Sequence, residues 1–348
     1  MALVIKGSSS GQITVDVPAA AGTNTVTIPA VTGNLPLSNL DHVTNRPNPK
    51  PFIINGNFAV AQRGTSADGT SGYLIDRWKK QAATTGNVAV SQDTDAPTGF
   101  INSQKILASG ASSFFQTGQQ IEYKNFYPLL GKATSLSFYY KSDVDVIIRV
   151  RTGTGTADTV VLHTGTVAST ATVSASADWV QHVHNFTLAS NVTSLSIEFA
   201  TGTLANTDFV FLAGVQLEQG TFNTTTIPPF QHEATGDNLL RCQRYCQVYG
   251  PHSNTMIGVG RTQDASNVYR WDFANMKTSM RAAPSGAISG TVNLWNGGTG
   301  ANAVLGTSYN TTELVGYDLS CSAGLTNTTG IVAKIFLNTG TFTLTAEF

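Results

Sequence analysis

Apolar and polar residues alternate with a period of two along most of this chain. Between Phe52 and about His232 the alternation falls into short runs separated by Gly, Asn, Asp and Ser, as in strands that are joined by turns. The runs are Leu136-Phe138-Tyr140, Val144-Val146-Ile148-Val150, Val180 to Leu188, Leu195-Ile197-Phe199 and Phe209-Phe211-Ala213-Val215-Leu217. No long helical pattern accompanies them, so residues 50–232 are predicted to form a two-sheet β-sandwich of the jelly-roll type.

The stretch FIINGNFAVAQRGTS, residues 52–66, opens this region. It is typical of a strand that enters a turn at Asn55-Gly56-Asn57, because Asn and Gly tolerate positive φ.

A single helix is predicted between residues 233 and 250, in the run DNLLRCQRYCQVYG. Asp237 can cap its start, and Gly250-Pro251 ends it. One stripe of this helix carries the following residues: Leu239, Cys242, Cys246 and Tyr249. The stripe could pack on the sandwich or against copies of itself, and the pattern is too short to choose.

Alternation resumes from residue 251 to residue 348. Its runs are Tyr269-Trp271-Phe273, Ile288-Gly290-Val292-Leu294, Val315-Tyr317-Leu319, Ile331-Ala333-Ile335-Leu337 and Phe342-Leu344-Ala346-Phe348. They predict a second, smaller antiparallel β domain, again a sandwich. The fold class is therefore all-β.

Residues 1–49 carry only short alternating pieces, each interrupted by Pro or Gly. Such a segment buries too little apolar surface to offset its ordering entropy. We therefore expect it to be ordered by docking or by winding with copies of itself. The Pro-rich run at 45–51 is typical of a stiff linker.

Composition narrows the classes of function. Only 12% of the 348 residues are charged, and the formal net charge is −1. Lys and Arg are scattered, which argues against a nucleic acid partner or an anionic membrane. No run resembles a signal peptide or a membrane span, so a soluble protein made in a cytoplasm is expected. The cysteines Cys242, Cys246 and Cys321 have no zinc-site spacing.

Candidate catalytic groups are sparse. Asp143 and Asp145 share one face of a strand, but nothing places one carboxylate in a drier environment than the other. His182 and His184 alternate on a strand, where a metal would need a third ligand such as Asp178 or His163. The Gly-x-Gly runs do not open helices. We predict no catalysis, no metal and no cofactor.

Aromatic residues near turns remain as candidates for binding. They are Trp271, Trp295, Tyr269, Tyr309 and Tyr317 in the second β domain and Trp78 and Trp179 in the first. Each is either a core residue or a platform for a sugar, whose C–H face stacks on a ring while its hydroxyls bond to amides. Trp295 and the adjacent Asn296 stand in an apparent loop, so the predicted glycan site is Trp295, Asn296, Tyr309, Trp271 and Tyr269.

Several short stretches, in order, resemble bacteriophage tail fibre and receptor-binding proteins. INGNF, AQRGTS and GYLIDRW, between residues 54 and 78, resemble the entry of their carbohydrate-binding-module-like jelly roll. FLAGVQLEQGTFNTTTIPPFQH, residues 211–232, is similar to its closing strand. LLRCQRYCQVYG resembles the helix that follows, with Cys246 where a tyrosine is usual.

The resemblance extends to both ends of the chain. MRAAPSGAISG, residues 280–290, and the run GTFTLTAEF are similar to the small C-terminal β domain of such proteins. The 10–33 region resembles repeats near the virion-attached end of tail fibres.

The resemblance implies a homotrimer in the virion tail. Residues 1–49 would attach it to tail or adaptor proteins, and the β domains would recognise host polysaccharide or lipopolysaccharide without catalysis. It also implies a structural signature made of Asn55, Gly56, Asn57, Arg63, Asp76, Arg77 and Trp78. In this reading Asp76-Arg77-Trp78 supplies a buried charge-assisted pair and a large apolar ring.

Two alternatives stay open. A structural adaptor or decoration protein would use the same jelly roll only to bridge its neighbours. A capsule depolymerase would cleave the glycan, but the long β-helix repeat of such tailspikes is not visible in the sequence.

Overall fold

The computed structural model describes residues 3–6, 12–15, 51–67, 71–83, 87–250, 255–262, 268–273, 276–295, 300–321 and 332–348. The chain divides into two compact units, Met1–Arg46 and Pro47–Phe348. In the first unit, β1 (Leu3–Lys6) and β2 (Gln12–Val15) pair as an antiparallel hairpin. The rest of residues 1–49, on which the predicted attachment role depends, lies outside the described residues.

The second unit begins with a sandwich of two six-stranded antiparallel sheets. Its strands are β3 (Ser66–Ala67), β4 (Ser71–Tyr73), β5 (Lys79–Ala82), β6 (Val88–Asp93), β7 (Ser103–Ala108), β8 (Phe115–Ile121), β9 (Ala133–Ser142), β10 (Val146–Gly153), β11 (Thr166–Val173), β12 (Ser176–Thr187), β13 (Ser194–Thr201) and β14 (Phe209–Gln219). The first sheet has the order β11-β10-β13-β8-β5-β4, and the second has the order β12-β9-β14-β7-β6-β3. A short helix α1 (Tyr123–Phe126) and a 3-10 turn (Tyr127–Leu129) connect β8 to β9.

The core of the sandwich lies between the two sheets and follows the predicted alternation. Leu136, Phe138 and Tyr140 of β9 point inward from the second sheet, while Ile148 and Val150 of β10 point inward from the first. All five side chains are buried. The predicted all-β sandwich is confirmed.

The opening segment differs from its prediction, because residues 52–65 form turns rather than a strand. Asn55 has φ 58°. Its side-chain amide donates to the carbonyl oxygens of Val60 at 2.9 Å and Asp76 at 3.0 Å, and its oxygen accepts from the Val60 amide at 2.9 Å. These bonds replace the ladder of a strand. Gly56 is needed for space, since an added Cβ would lie 2.0 Å from the carbonyl oxygen of Val215.

The predicted helix is present but shorter than expected. Helix α2 (Thr235–Gln243) follows Ala234 as its N-cap, so Asp237 lies in its first turn rather than at the cap. The prediction of a helical stripe is wrong beyond Cys242, because residues 246–249 form a strand. Cys242 is buried against Ile54, Val60 and Tyr245 of the same chain. Leu239 packs at the edge of that cluster.

A barrel follows the helix, where the sequence predicted a second sandwich. Its strands are β15 (Cys246–Tyr249), β16 (Thr255–Thr262), β17 (Val268–Phe273), β18 (Ser285–Trp295), β19 (Gly300–Ser308), β20 (Val315–Cys321) and β21 (Val332–Thr345). The sheet closes because β21 pairs with both β16 and β18. The barrel therefore depends on β21, whose other end pairs with β15.

A change of Gly56 to Ala tests the close approach to Val215. We expect Gly56→Ala to lower the free energy of unfolding by about 3 kcal/mol or more, because the clash is with backbone that cannot rotate away. Urea unfolding followed by tryptophan fluorescence measures this. The matched control is Gly236→Ala in α2, where an added Cβ meets nothing within 4 Å. That control should raise stability by up to about 1 kcal/mol, and equal midpoints for the two variants would contradict the assignment.

Candidate functional site

The residues of the predicted signature lie where the sandwich meets the barrel. Trp78 is buried, donates from its indole N–H to the Asn55 carbonyl oxygen at 3.0 Å, and lies 4.8 Å from the ring of Phe58. The side-chain oxygen of Asn57 accepts from Asn238 of α2 at 3.3 Å. These contacts show that the signature residues build the fold.

Asp76 and Arg77 do not pair with each other. Asp76 accepts from the Gln62 backbone at 2.6 Å and lies 3.8 Å from Arg63. Arg77 binds the carboxylate of Glu347 and donates to the Gln120 carbonyl oxygen at 2.6 Å. The side chains of adjacent residues in a turn point in different directions. The buried charge-assisted pair that was expected here is therefore formed by Arg77 with Glu347, in a distant part of the chain.

Glu347 joins the barrel to the sandwich. Its carboxylate lies 3.1 Å from Arg63 and also binds Arg77, and its side chain is only 4% exposed. The guanidinium of Arg77 stacks on the ring of Tyr245 at 3.5 Å. Burial disfavours the charge of Arg77, but Glu347 outweighs it and holds the pKa above its usual value. We call Arg63, Asp76, Arg77, Tyr245 and Glu347 the junction cluster.

A second ion pair supports the junction cluster. Arg244 makes two hydrogen bonds to Glu122, at 3.0 and 3.1 Å, and the Tyr245 hydroxyl donates to Glu122 at 2.5 Å. Despite the opposing effect of burial, these donors lower the pKa of Glu122.

Cys246, which the sequence analysis placed on the helical stripe together with Tyr249, is a buried free thiol. Burial raises its pKa to about 12, so the thiol is protonated at neutral pH.

The three predicted glycan residues of the barrel whose side chains the structure describes, Trp271, Trp295 and Tyr309, are not brought together. Trp271 is completely buried and packs 5.0 Å from Phe342, so its ring cannot face a sugar. The backbone of Tyr269 lies in β17, but its side chain is outside what the structure describes, and Asn296 lies outside the described residues altogether. Trp295 and Tyr309 are 38% and 41% exposed.

Trp295 and Tyr309 lie at opposite ends of β19. Trp295 faces Gly300, where β19 begins, whereas Tyr309 follows Ser308, where it ends. The nine residues of β19, which rises about 3.3 Å per residue, lie between them. Tyr309 donates to Asp318 at 2.8 Å and stacks with Arg270 at 3.6 Å. One sugar ring cannot contact both side chains.

The catalytic candidates have structural partners. Asp143 accepts from the Phe209 amide at 2.7 Å, and Asp145 accepts from the Ala175 amide at 3.2 Å. His184 bonds to Ser169 of β11 at 2.8 Å, which links the edges of the two sheets. His163 lies instead beside Glu198 of the first sheet. Among the described residues, no group of His, Cys, Asp or Glu could hold a metal ion.

An aromatic surface, of which the sequence analysis indicated only Trp179, lies on the outer side of the second sheet. We call it the aromatic face, and its members are Phe100, Tyr139, Trp179, Phe211, Phe230 and His232. The ring of Phe100 lies 5.0 Å from Phe230, 5.0 Å from His232 and 5.5 Å from Tyr139. Gly214 makes room for it, because an added Cβ would lie 2.5 Å from the Phe100 ring.

The other end of the aromatic face carries charges that are paired. Lys141 and Lys105 stand on either side of Phe211, with each Nζ about 5 Å from its ring. Lys141 binds Asp95 at 2.5 Å. Asp95 also accepts from the Trp179 indole at 2.9 Å. These two hydrogen bonds lower the pKa of Asp95.

The aromatic face combines ring faces with amides and hydroxyls. Gln181 lies opposite Tyr139 on the neighbouring strand and donates to the Ser137 hydroxyl at 3.0 Å. Outward Tyr139 and Lys141 alternate with inward Phe138 and Tyr140 in the sequence, which is the signal that could have indicated this surface. Rings flanked by amide and hydroxyl groups can stack on a sugar and bond to its hydroxyls.

No family model matches the chain, and no curated protein matches it. Half of the chain resembles solved structures. TmCBM61 in complex with β-1,4-galactotriose has 12% identity and a TM-score of 0.34, over 49% of this chain and 99% of that one. The tailspike protein 4 enzymatically active domain of Bacteriophage CBA120 has 13% identity and a TM-score of 0.36, over 49% of this chain and 21% of that one.

A third similar structure is the CBM22-1 xylan-binding domain of Paenibacillus barcinonensis Xyn10C. It has 14% identity and a TM-score of 0.30, over 46% of this chain and 97% of that one. Similarities of this size assign neither a ligand nor an activity to the chain. In the described part of the chain, no helix is long and apolar enough to cross a membrane.

Removal of the negative charge from the junction cluster tests its role. Glu347→Gln leaves Arg77 buried without a counter-ion, so we expect the free energy of unfolding to fall by about 3–5 kcal/mol. Urea unfolding measures the change. The control is Glu313→Gln at an exposed turn, which should change stability by less than about 0.5 kcal/mol. A midpoint for Glu347→Gln equal to that of the control would refute the assignment.

From the raised pKa of Asp76 we predict that the free energy of unfolding depends on pH. Burial raises its pKa from 3.8 to about 6, against the hydrogen bonds from Gln62 and the charge of Arg63. The native state therefore binds the proton more tightly than the unfolded state does. This contribution is fully present below about pH 4 and is lost as the pH rises through about 6, and it amounts to roughly 3 kcal/mol.

The pH effect is isolated by comparison with Asp76→Asn. The stability of the wild-type protein, measured relative to this variant by urea unfolding, should fall by up to about 3 kcal/mol between pH 4 and pH 7. Other titrating groups are shared by both proteins and cancel. A difference that stays constant over this range would show that Asp76 is ionised throughout.

Proposed function

We propose that this protein is a bacteriophage tail fibre protein that recognises a glycan on the host cell surface without catalysis. The observation that carries the proposal is the aromatic face. Its rings are held in place by Gly214 and by the hydrogen bond between Trp179 and Asp95. The sequence resemblance to receptor-binding tail fibres supports the same function.

The aromatic face suits a sugar better than a hydrophobic protein partner. Of its rings, Phe211 is buried and His232 is exposed. The other four are half-buried: Phe100, Tyr139, Trp179 and Phe230. The half-buried amide of Gln181 lies opposite Tyr139 on the neighbouring strand and is oriented by its bond to the buried Ser137 hydroxyl. A polar surface with a few fixed rings can bind a carbohydrate chain weakly, and several copies of the chain would add avidity.

In this proposal the protein belongs to the virion tail as a homotrimer. Residues 1–49 would bind tail or adaptor proteins, and the sandwich and barrel would face the host polysaccharide or lipopolysaccharide. The few surface charges of a chain with net charge −1 agree with a partner that is not a nucleic acid.

Two other functions compete with this one. A structural adaptor or decoration protein would have the same sandwich but would not bind cells. A capsule depolymerase would require an acid and a base in contact with substrate. The described candidates Asp143 and Asp145 instead accept hydrogen bonds from backbone amides. Release of reducing ends from host polysaccharide would establish the depolymerase.

The proposal is tested by binding of the fluorescently labelled full chain to a panel of bacteria, with and without periodate treatment of the cells. We expect saturable binding to at least one strain that periodate abolishes. Tyr139→Ala should weaken this binding about tenfold, because a stacking ring is lost.

The matched control is Tyr127→Ala, since Tyr127 is 60% exposed on the turn that follows α1. It should bind like the wild-type protein. Failure to bind a strain that the parent phage infects would favour the structural adaptor. Binding that resists periodate would point to a protein receptor.

A further inference from the structure

An exposed tryptophan and a lysine stand side by side on the outer surface of the barrel. Trp295 of β18 lies directly opposite Lys334 of β21, which in turn lies opposite Val259 of β16. The neighbouring Leu294 and Ile335 are completely buried in the barrel core. Because side chains alternate along a strand, Trp295, Lys334 and Val259 form one row that faces outward.

The row combines a flat ring with an apolar border. Trp295 is 38% exposed and Val259 is 53% exposed. The Nζ of Lys334 lies 5.3 Å from the centre of the indole. Asn293 is two residues before Trp295 on the same face, and its side-chain oxygen is buried without a hydrogen-bond donor among the described residues.

The charge of Lys334 distinguishes this row from the aromatic face. Lys141 and Lys105 of the aromatic face are paired with Asp95 and Asp93, at 2.5 and 3.3 Å. Lys334 has no carboxylate partner in the described ranges, and its neighbour is the Trp295 ring. A cation held only by an exposed ring remains able to bind an anion, because that contact is weak at an exposed site.

We propose that Trp295 and Lys334 form a second carbohydrate site, which takes an acidic sugar. The ring stacks on the C–H face of the sugar, and the ammonium group binds its carboxylate. The proposal rests on the proposed glycan-binding function and adds the charge of the ligand. It also divides recognition between two surfaces, with neutral sugars on the aromatic face and uronic or sialic acid residues on the barrel.

The alternative reading is that the contact between Lys334 and Trp295 only covers apolar surface, as lysine stems do on many proteins. In that case removal of the charge would leave binding of every glycan unchanged. The two readings therefore differ in the response to Lys334→Gln, which keeps most of the stem and removes the charge.

The test uses the full chain and immobilised polymers of galacturonate, mannuronate, glucuronate with N-acetylglucosamine, and sialic acid. Each polymer is paired with its carboxyl-reduced form. We expect binding to at least one acidic polymer, about tenfold weaker binding to its reduced form, and weakening by raised salt. Lys334→Gln and Trp295→Ala should each lower the affinity about tenfold.

The matched control is Lys277→Gln, because the exposed Lys277 also lies over a ring, 5.2 Å from that of Tyr249. It should bind like the wild-type protein, and thermal melts should show that all three variants are folded. Absence of binding to every acidic polymer, equal binding to a reduced polymer, or full binding by Lys334→Gln overturns the proposal. If periodate-sensitive cell binding persists in these cases, the proposed function stands and only the acidic-sugar site is rejected. If that cell binding is also absent, both proposals are rejected.

Discussion

The buried pair of Arg77 and Glu347 is the contact on which the arrangement of sandwich and barrel depends. Both side chains are almost fully buried, at 1% and 4% exposure. A buried guanidinium without a carboxylate would cost several kcal/mol, so Glu347 of the barrel stabilises the sandwich. Tyr245 closes the arrangement by stacking on Arg77. The link between the two parts is therefore specific in position.

The junction cluster also explains how a chain with few charges uses them. Charged residues make up only 12% of the sequence, yet Arg77, Glu122, Glu198 and Glu347 are each buried or nearly so. The pairs of Arg77 with Glu347 and of Glu122 with Arg244 join the sandwich to the barrel and the helix, whereas Glu198 pairs with Arg151 within the sandwich.

Sequence patterns predicted the strands well because alternation reports directly which side of a sheet is buried. Leu136, Phe138 and Tyr140 are in the core as expected. The opening turns were missed because they are fixed by side-chain hydrogen bonds such as those between Asn55 and Val60. The early end of α2 was missed because residues 246–249 pair with β21. The partner of Arg77 is 270 residues away, so no local pattern could reveal it. The same limit applies to the candidate site: Trp271 is a core residue, and the aromatic face draws on five separate segments of the chain.

The position of β21 has a consequence for the order of folding during synthesis. This strand pairs with β15, β16 and β18, all of which precede it in the chain. The ribosome therefore completes the sandwich and most of the barrel strands before the barrel can close. Until residues 332–347 emerge, Arg77 lacks its carboxylate and several strand edges stay open, which are conditions that favour association with other chains. The nascent protein passes through a stage in which pairing with a neighbouring copy competes with closure of its own barrel.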